Sequence, residues 1–573
     1  MKIKIIFICF ITTLLGGVVN AQDSFSATEF IQGTYMGTTM PLRDFPTTEY
    51  DATSPKTMTI IENKFQINEK VNQNSLPYND VNTNVQDKVG GIFSYAIEQN
   101  FVGFDNTGFT PPDPSGAVGP EHYVHAVNSS IKVFDKTGNV LAGPTSLGAF
   151  LGIGSNSGDP IILYDQLADR YFVSEFGEDT FATNSLAIGV SVTNDPTGAY
   201  YVYQYTFDAF PDYPHYSIWP DAYYLTANKG GANKVYAIER EVILAGDPDP
   251  QIIGFPLPGN TENQNTVLSP EPANLTGVDY PEDLPGYIVY LQDDGWGGIT
   301  YDHLKVWEID VDFDSPANST ISSPLEIPTD PFNAYFAPFG SGDVAQPGTG
   351  QKIDMITGLI SYAANYRSFE NHNSWIITFN DNVDGTNSGI RWIELRNDDN
   401  NPWEVFQEGT YSPADDNSRF MGSAAMDAAG NIGMGFNIAS ATLPVGIKYT
   451  GRYDGDPLGE MTIAETTIVD GVGVQTNTNR FGDYSHLTMD PDNFTFWHTA
   501  EYFSANNQWR TQVASFSLSS GFAQDVGVNN IINPINGILT TTETVEVSIR
   551  NYGLDAQSDI PLELFVDGNL IAT

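Results

Sequence analysis

Apolar and polar positions alternate in short bursts along most of the chain, and many bursts are closed by a turn that begins with aspartate. Ile131-Lys-Val-Phe134 leads through Asp135-Lys-Thr-Gly138-Asn139 to Val140-Leu141, and Ile161-Ile-Leu-Tyr164 leads through Asp165 to Arg170-Tyr-Phe-Val173. Leu186 to Val192 is followed by Asp195-Pro-Thr-Gly198 and Tyr200-Tyr-Val-Tyr203. Asp427-Ala-Ala-Gly430-Asn431 and Asp490-Pro-Asp-Asn493 each precede a further apolar run. Aspartate at the first turn position accepts backbone N–H groups, and Gly or Asn three residues later tolerates positive φ, so these units read as β-hairpins. Asp135, Asp165 and Asp195 are thirty residues apart. One hairpin per thirty residues, two hairpins to a four-stranded sheet, predicts an all-β fold: a β-propeller of about seven blades at roughly 60 residues each.

The ends have a different texture. Lys2 and Lys4 precede an apolar run from Ile5 to Val19, and Val19-Asn20-Ala21 supplies small residues before Gln22. That predicts a cleavable signal peptide at 1–21, since ~15 apolar residues are fewer than the ~20 a spanning helix needs. Residues 22–95 are rich in Thr, Asn and Gln and read as a leader or linker that packs one strand, Thr57 to Ile61, on the main domain. The propeller is expected over 96–518, a short linker over 519–524, and the start of an immunoglobulin-like sandwich over 525–573. Such a sandwich needs ~100 residues, so the tail predicts a fragment of a longer multidomain protein.

Composition narrows the partners. The formal net charge is −47, with 71 acidic against 24 basic residues. A field of that sign repels nucleic acid and anionic membranes. The 29 Tyr, 34 Phe and 8 Trp speak for a folded chain rather than a disordered acidic one. The only cysteine, Cys9, falls within the signal segment, so disulfides, thiolate metal sites and cysteine nucleophiles are excluded from the mature chain. No later stretch is long and apolar enough to span a bilayer, and the predicted destination is the cell exterior or outer surface.

Two stretches resemble a family of large secreted bacterial β-propeller proteins. One is Pro112-Asp-Pro-Ser-Gly-Ala-Val-Gly-Pro-Glu-His-Tyr-Val124 with Val127-Asn128 and Asp159-Pro-Ile-Ile-Leu-Tyr-Asp165. The other runs from Gly389-Ile-Arg-Trp392 through Gly409-Thr-Tyr-Ser-Pro413, Met426-Asp-Ala-Ala-Gly-Asn431, Tyr449-Thr-Gly-Arg452 and Arg480-Phe-Gly-Asp-Tyr-Ser485 to Glu501-Tyr502. The resemblance implies a fold and no assigned reaction. The tail from Asp525 resembles CARDB-like adhesion modules, which implies surface display.

Candidate chemistry is sparse. His122 and His125 are the only close pair among seven histidines, and odd spacing puts them on opposite faces of a strand. There is no Gly-x-Ser-x-Gly and no phosphate-binding glycine loop. For Ca²⁺, Trp307 to Asp314 alternates, which places Glu308, Asp310, Asp312 and Asp314 on one face of a strand, as a cation site or as an edge that blocks aggregation. Asn380-Asp-Asn382-Val-Asp384-Gly385 begins like a calcium loop, but Arg391 stands at its twelfth position, so it reads as a hairpin turn. Arg391, Arg452, Arg480, Asp483, Tyr484, Glu501 and Tyr502 match by type the arginine and Tyr–Glu set of propeller sialidases, but no Ser-x-Asp-x-Gly-x-x-Trp repeat is present. Trp219, Trp296, Trp375, Trp403 and Trp497 lie near Gly/Asp/Asn loops, where flat rings can stack on sugars or simply pack the core.

The sequence thus favours a secreted or surface-displayed binding protein that recognises extracellular glycan or protein. A polysaccharide hydrolase or lyase working in a central funnel is the alternative. The discriminating observation is convergence of Arg452, Arg480, Asp483 or Glu501 at one place.

Overall fold

A computed structural model describes residues 23–50, 59–60, 84–92, 96–154, 157–177, 183–231, 233–261, 270–336, 342–398, 401–518, 524–534, 542–551, 557–566 and 569–572. The signal segment at 1–21 lies outside the described residues. The protein is nearly all β, and the described residues hold no helix long and apolar enough to cross a membrane.

The aspartate-led turns form for the reason the sequence gives. Asp135 Oδ1 accepts the N–H groups of Thr137 and Asn139, both at 2.9 Å, while Gly138 takes φ 89°. Asp427 does the same for Ala429 and Asn431, with Gly430 at φ 81°. Asp165 accepts from Leu167 and Ala168 at 3.0 Å. The turn after Asn382 is a hairpin too: Asn382 Oδ1 accepts from Gly385 and Asp384 Oδ1 from Thr386 and Asn387, each at 2.7 Å.

These hairpins build seven sheets of four or more strands among the described residues. In chain order their first strands are Ser115–Val118, Ile161–Asp165, Asp212–Ile218, Glu271–Pro272, Asn365–Ser368, Ser418–Met426 and His486–Met489. Ser115–Val118 packs on Ile161–Asp165, which packs on Asp212–Ile218. Asn274–Leu275 links Asp212–Ile218 to Asn365–Ser368, which is followed by Ser418–Met426, then His486–Met489, then Ser115–Val118 again. The first strands therefore follow one another in a cycle. The seventh sheet takes its fourth strand, Gln99–Asp105, from the far end of the chain.

The leader contributes more than the single strand expected at Thr57–Ile61, of which Thr59–Ile60 pairs with Phe109–Thr110. Ser24–Ser26 adds an outer strand to the fourth sheet, Glu29–Gln32 to the third and Thr34–Thr38 to the second. Thr48 N–H then reaches Pro144 O of the first sheet. Val85–Gln86 runs parallel to the edge of the fifth sheet, and Ile92 bridges Ile463 of the sixth. Edge strands left open are templates for intermolecular pairing, and the leader covers them. Removal of residues 23–50 is expected to leave a protein that folds but self-associates. Light scattering on the truncated chain, with wild-type-like monodispersity as the contrary result, checks this.

Residues 329–336 and 342–364, between the fourth and fifth sheets, pack against several sheets at once. Phe336, Val344, Ile353 and Met355 join an apolar cluster with Val127, Phe420, Phe481 and Trp509 of the first, sixth and seventh sheets and the loop ahead of the seventh. Ile356, Leu359 and Tyr362 join another with Phe172, Tyr216 and Tyr484. All five tryptophans singled out in the sequence are buried in the packing and present no face to solvent. In the tail, Val526–Asn533 pairs with Glu546–Asn551 and Leu564–Val566 with Asn569–Ala572. Arg550 holds the tail to the sixth sheet through an ion pair with Asp456 and a stack on Tyr453, 4.0 Å from its ring centre.

Candidate functional site

Four of the first strands are entered through the same feature, an aspartate at the first residue or two to three residues before it. Asp113-Pro114 precedes Ser115, Asp159-Pro160 precedes Ile161, Asp212-Tyr213-Pro214 opens the third sheet and Asp483-Tyr484-Ser485 precedes His486. Because these strands are neighbours in the cycle and point the same way, the four carboxylates meet.

Asp483 N–H donates to Asp113 Oδ1 at 2.8 Å, and Asn128 Nδ2 donates to Asp113 Oδ2 at 2.5 Å. Asp159 N–H donates to Asn128 Oδ1 at 2.8 Å. Tyr213 Oη donates to Asp483 O at 2.8 Å, and its ring lies 4.8 Å from that of Tyr484. Tyr484 Oη donates to Pro214 O at 3.3 Å beside Asp159 Oδ2 at 3.5 Å. Gly482 N–H donates to Glu501 Oε2 at 2.6 Å. Arg480 Nη2 donates to Asp483 Oδ2 at 2.6 Å. Behind this layer His215 and Glu271 form a fully buried ion pair, and Tyr362 packs between His215 and His486 at 5.1 and 4.8 Å.

The electrostatics follow from burial. Desolvation pushes Asp113 up to about 8, with the Asp483 charge adding to it and Arg480 opposing. Desolvation, reinforced by Asp483, pushes Asp212 up to about 7. Asp159 and Glu501 rise well above the usual carboxylate range for the same first cause. Burial also raises Asp483, and Arg480 pulls it back toward the ionised form. Asp483 Oδ1 and Glu501 Oε1 are buried without a hydrogen-bond partner among the described residues, while Asn228 lies against the Asp212 carboxyl.

The backbone is strained at the same place. Asp113, Asp159, Tyr213, Ile356 and Met421 take φ of 47°, 53°, 52°, 50° and 51°. A β-branched or bulky side chain in that region costs on the order of 1–3 kcal/mol, and such outliers gather at functional sites.

Of the residues proposed from sequence, Arg480, Asp483, Tyr484 and Glu501 come together. Arg391, Arg452 and Tyr502 do not join them. Arg391 is buried in the fifth sheet, ion-paired to Glu408 and donating to Asp330 O at 3.1 Å. Arg452 clamps the carbonyls of Asp456, Pro457 and Glu460 at 2.7–3.2 Å. Tyr502 points to the face of its strand opposite Glu501 and packs with the apolar core of the sixth and seventh sheets. Sequence reasoning missed Asp113, Asp159 and Asp212 as site residues. The signal was present as the recurrence of Asp-Pro or Asp-Tyr at the entry to a strand, above all Asp212-Tyr-Pro-His215 against Asp483-Tyr-Ser-His486.

The calcium face at Glu308, Asp310, Asp312 and Asp314 is corrected by the structure. The strand His303–Asp310 ends before the third of these, and Asp312 turns its carboxylate back onto Ser315 N–H at 2.7 Å and Asn318 Nδ2 at 3.1 Å. A side chain that can satisfy its own turn leaves the ladder, so the four carboxylates do not line one face. Another trio of carboxylates, Asp293, Asp294 and Asp302, does gather. Asp293 spends its oxygens on Gly295 and Ala334 N–H, and Asp302 on Asp294 and Phe332 N–H.

No protein-family model matches the chain, and no curated protein matches it. Among solved structures it is similar to an endo-arabinase from Bacteroides thetaiotaomicron, 14% identical over 52% of this chain and 95% of that one, with a TM-score of 0.27. It is also similar to a GH43 endo-arabinanase from Bacillus licheniformis, 11% identical over 59% and 93% with a TM-score of 0.25, and to a PL25 ulvan lyase, 10% identical over 81% and 96% with a TM-score of 0.27. Superpositions this loose carry no residue correspondence.

Proposed function

We propose that the seven sheets are the blades of a seven-bladed β-propeller and that the carboxylate cluster on its axis cleaves polysaccharide. The observation that carries this reading is the meeting of Arg480, Asp483, Tyr484 and Glu501 with Asp113, Asp159 and Asp212, contributed by separate sheets to one strained, desolvated centre. Carboxylates held at different protonation states by their surroundings are what glycoside hydrolysis requires. Asp212, held protonated near neutrality by burial and the Asp483 charge, is the proton donor in this reading. Asp483, favoured as an anion by Arg480, is its ionised counterpart. Arg480 is the cation that Asp113, Asp159, Asp212 and Glu501 all feel. Elimination needs cations to neutralise a uronate, so this balance supports hydrolysis over lyase chemistry.

The test is release of new reducing ends from neutral and acidic polysaccharides by the purified protein. Asp212→Asn is expected to lower the rate about 10²–10⁴-fold, the usual worth of a general acid. No new reducing ends and no unsaturated products from any polysaccharide would sink the reading.

One observation favours a second reading, the binding platform. Asp113 and Glu501 are 0% and 1% exposed, as purely structural groups would be. In that case the axial variants alter stability and leave ligand capture unchanged. The tail at 525–573, joined at 519–524, is read in either case as a CARDB/Ig-like segment of a secreted surface protein.

A further inference from the structure

A second concave surface lies at the other end of the sheets from the carboxylate cluster. The strand Ser418–Met426 runs between the two: Met421 O accepts from Ser485 beside Tyr484, and Met426 O accepts from Arg367. Five residues of strand separate these contacts, about 17 Å. The cleft has a volume of ≈ 720 Å³ and is walled by Asp279, Tyr280, Arg367, Phe369, Glu370 and His372, among others. That size falls within the ~300–1,000 Å³ of small-ligand sites.

Its walls offer three kinds of contact. Flat surface comes from Phe369 and His372, whose rings stack at 4.9 Å and 15°, and from Tyr280, which is 43% exposed. A fixed cation comes from Arg367, 7% exposed and anchored by Asn493 Oδ1 at 2.8 Å. Acceptors come from Asp279, Glu370 and His372. His372 Nδ1 donates to Asn371 Oδ1 at 2.7 Å, so Nε2 carries the lone pair, and that atom is buried with no partner among the described residues. A buried acceptor without a donor is costly and is satisfied by a ligand hydroxyl.

The geometry points to this cleft as a binding site for uncharged polysaccharide, separate from the axial cluster. Sugar rings present C–H faces to aromatic side chains and hydroxyls that both donate and accept, which matches a wall of rings, carboxylates and one arginine. The carboxylates at the rim disfavour polyanions. The inference stands or falls independently of cleavage at the axis, because it is read by binding.

The test is native affinity electrophoresis of the whole chain through gels containing xylan, galactomannan or laminarin, with alginate and chitosan as charged counter-probes. Retardation by at least one neutral polysaccharide is expected. Tyr280→Ala and His372→Ala are each expected to weaken it about tenfold, since a stacked ring or a desolvated hydrogen bond is worth that much. Tyr280 is exposed, so its variant keeps the wild-type melting temperature and separates binding from folding. No retardation by any neutral polysaccharide, retardation only by alginate or chitosan, or wild-type retardation in both variants would overturn the inference.

Discussion

Replacing Arg480 by methionine is expected to destabilise the protein by about 3–5 kcal/mol at neutral pH, the cost of removing one partner of a buried charge pair. Arg480 is 7% exposed, donates to Asp483 Oδ2 at 2.6 Å, and is the cation against which four further carboxylates are balanced. Methionine fills much of the space but leaves Asp483 ionised in a medium that cannot solvate it. The loss should shrink at pH 5, where Asp483 of the variant takes up a proton and the uncompensated charge disappears. Urea midpoints of wild type and Arg480→Met at both values check this. A loss that is the same at pH 5 and pH 7, or one below about 1 kcal/mol, would show that the arginine is not neutralising the cluster.

The second large effect is a fall of stability with rising pH. Burial pushes the Asp212 carboxyl up to about 7 in the folded protein, from an ordinary 3.8, and Asp113 up to about 8. Between those limits the folded state holds protons that the unfolded state has released. The contribution is therefore complete below about 4 and is lost as pH rises through 7 to 8. For Asp212 it amounts to on the order of 4 kcal/mol. The melting temperature should decline from pH 5 to about pH 8 and then level off, and Asp212→Asn, which cannot ionise, should flatten part of that slope. Identical pH profiles for wild type and variant would exclude Asp212 as a buried neutral carboxyl. A glycosidase acid needs the proton to stay on until substrate arrives, so this measurement bears on the proposed role without any substrate.

The parts of the fold that were legible in sequence are those governed by near neighbours. Asp135, Asp165, Asp195, Asp427 and Asp490 announce their turns because each carboxylate bonds to N–H groups two to four residues on. The leader strands were not legible. Glu29–Gln32 and Thr34–Thr38 are short, half-exposed and paired with strands 160 or more residues away, so their own pattern says little. Alternation misled at Asp312, where it continues in sequence after the strand has ended. The axial site was half legible: Arg480, Asp483, Tyr484 and Glu501 stand out by residue type, whereas Asp113 and Asp159 look like ordinary Asp-Pro turns until the cycle of sheets brings them together. Arg452 has the right chemistry in the wrong place, because a guanidinium serves equally well to hold a loop's carbonyls.

The strand Gln99–Asp105 sets a condition on how this molecule can be made. It pairs with Gln508–Ser517, some four hundred residues later. Until Gln508–Ser517 has emerged from the ribosome the early strand has no partner, and the leader waits likewise, though less long, for the third and fourth sheets to which it reaches forward. Long-range closure of this kind carries a large entropic barrier and slows folding relative to local pairing. Maturation is thus a late event: the circle locks when the last hairpin of the seventh sheet docks onto a segment that has waited through most of synthesis.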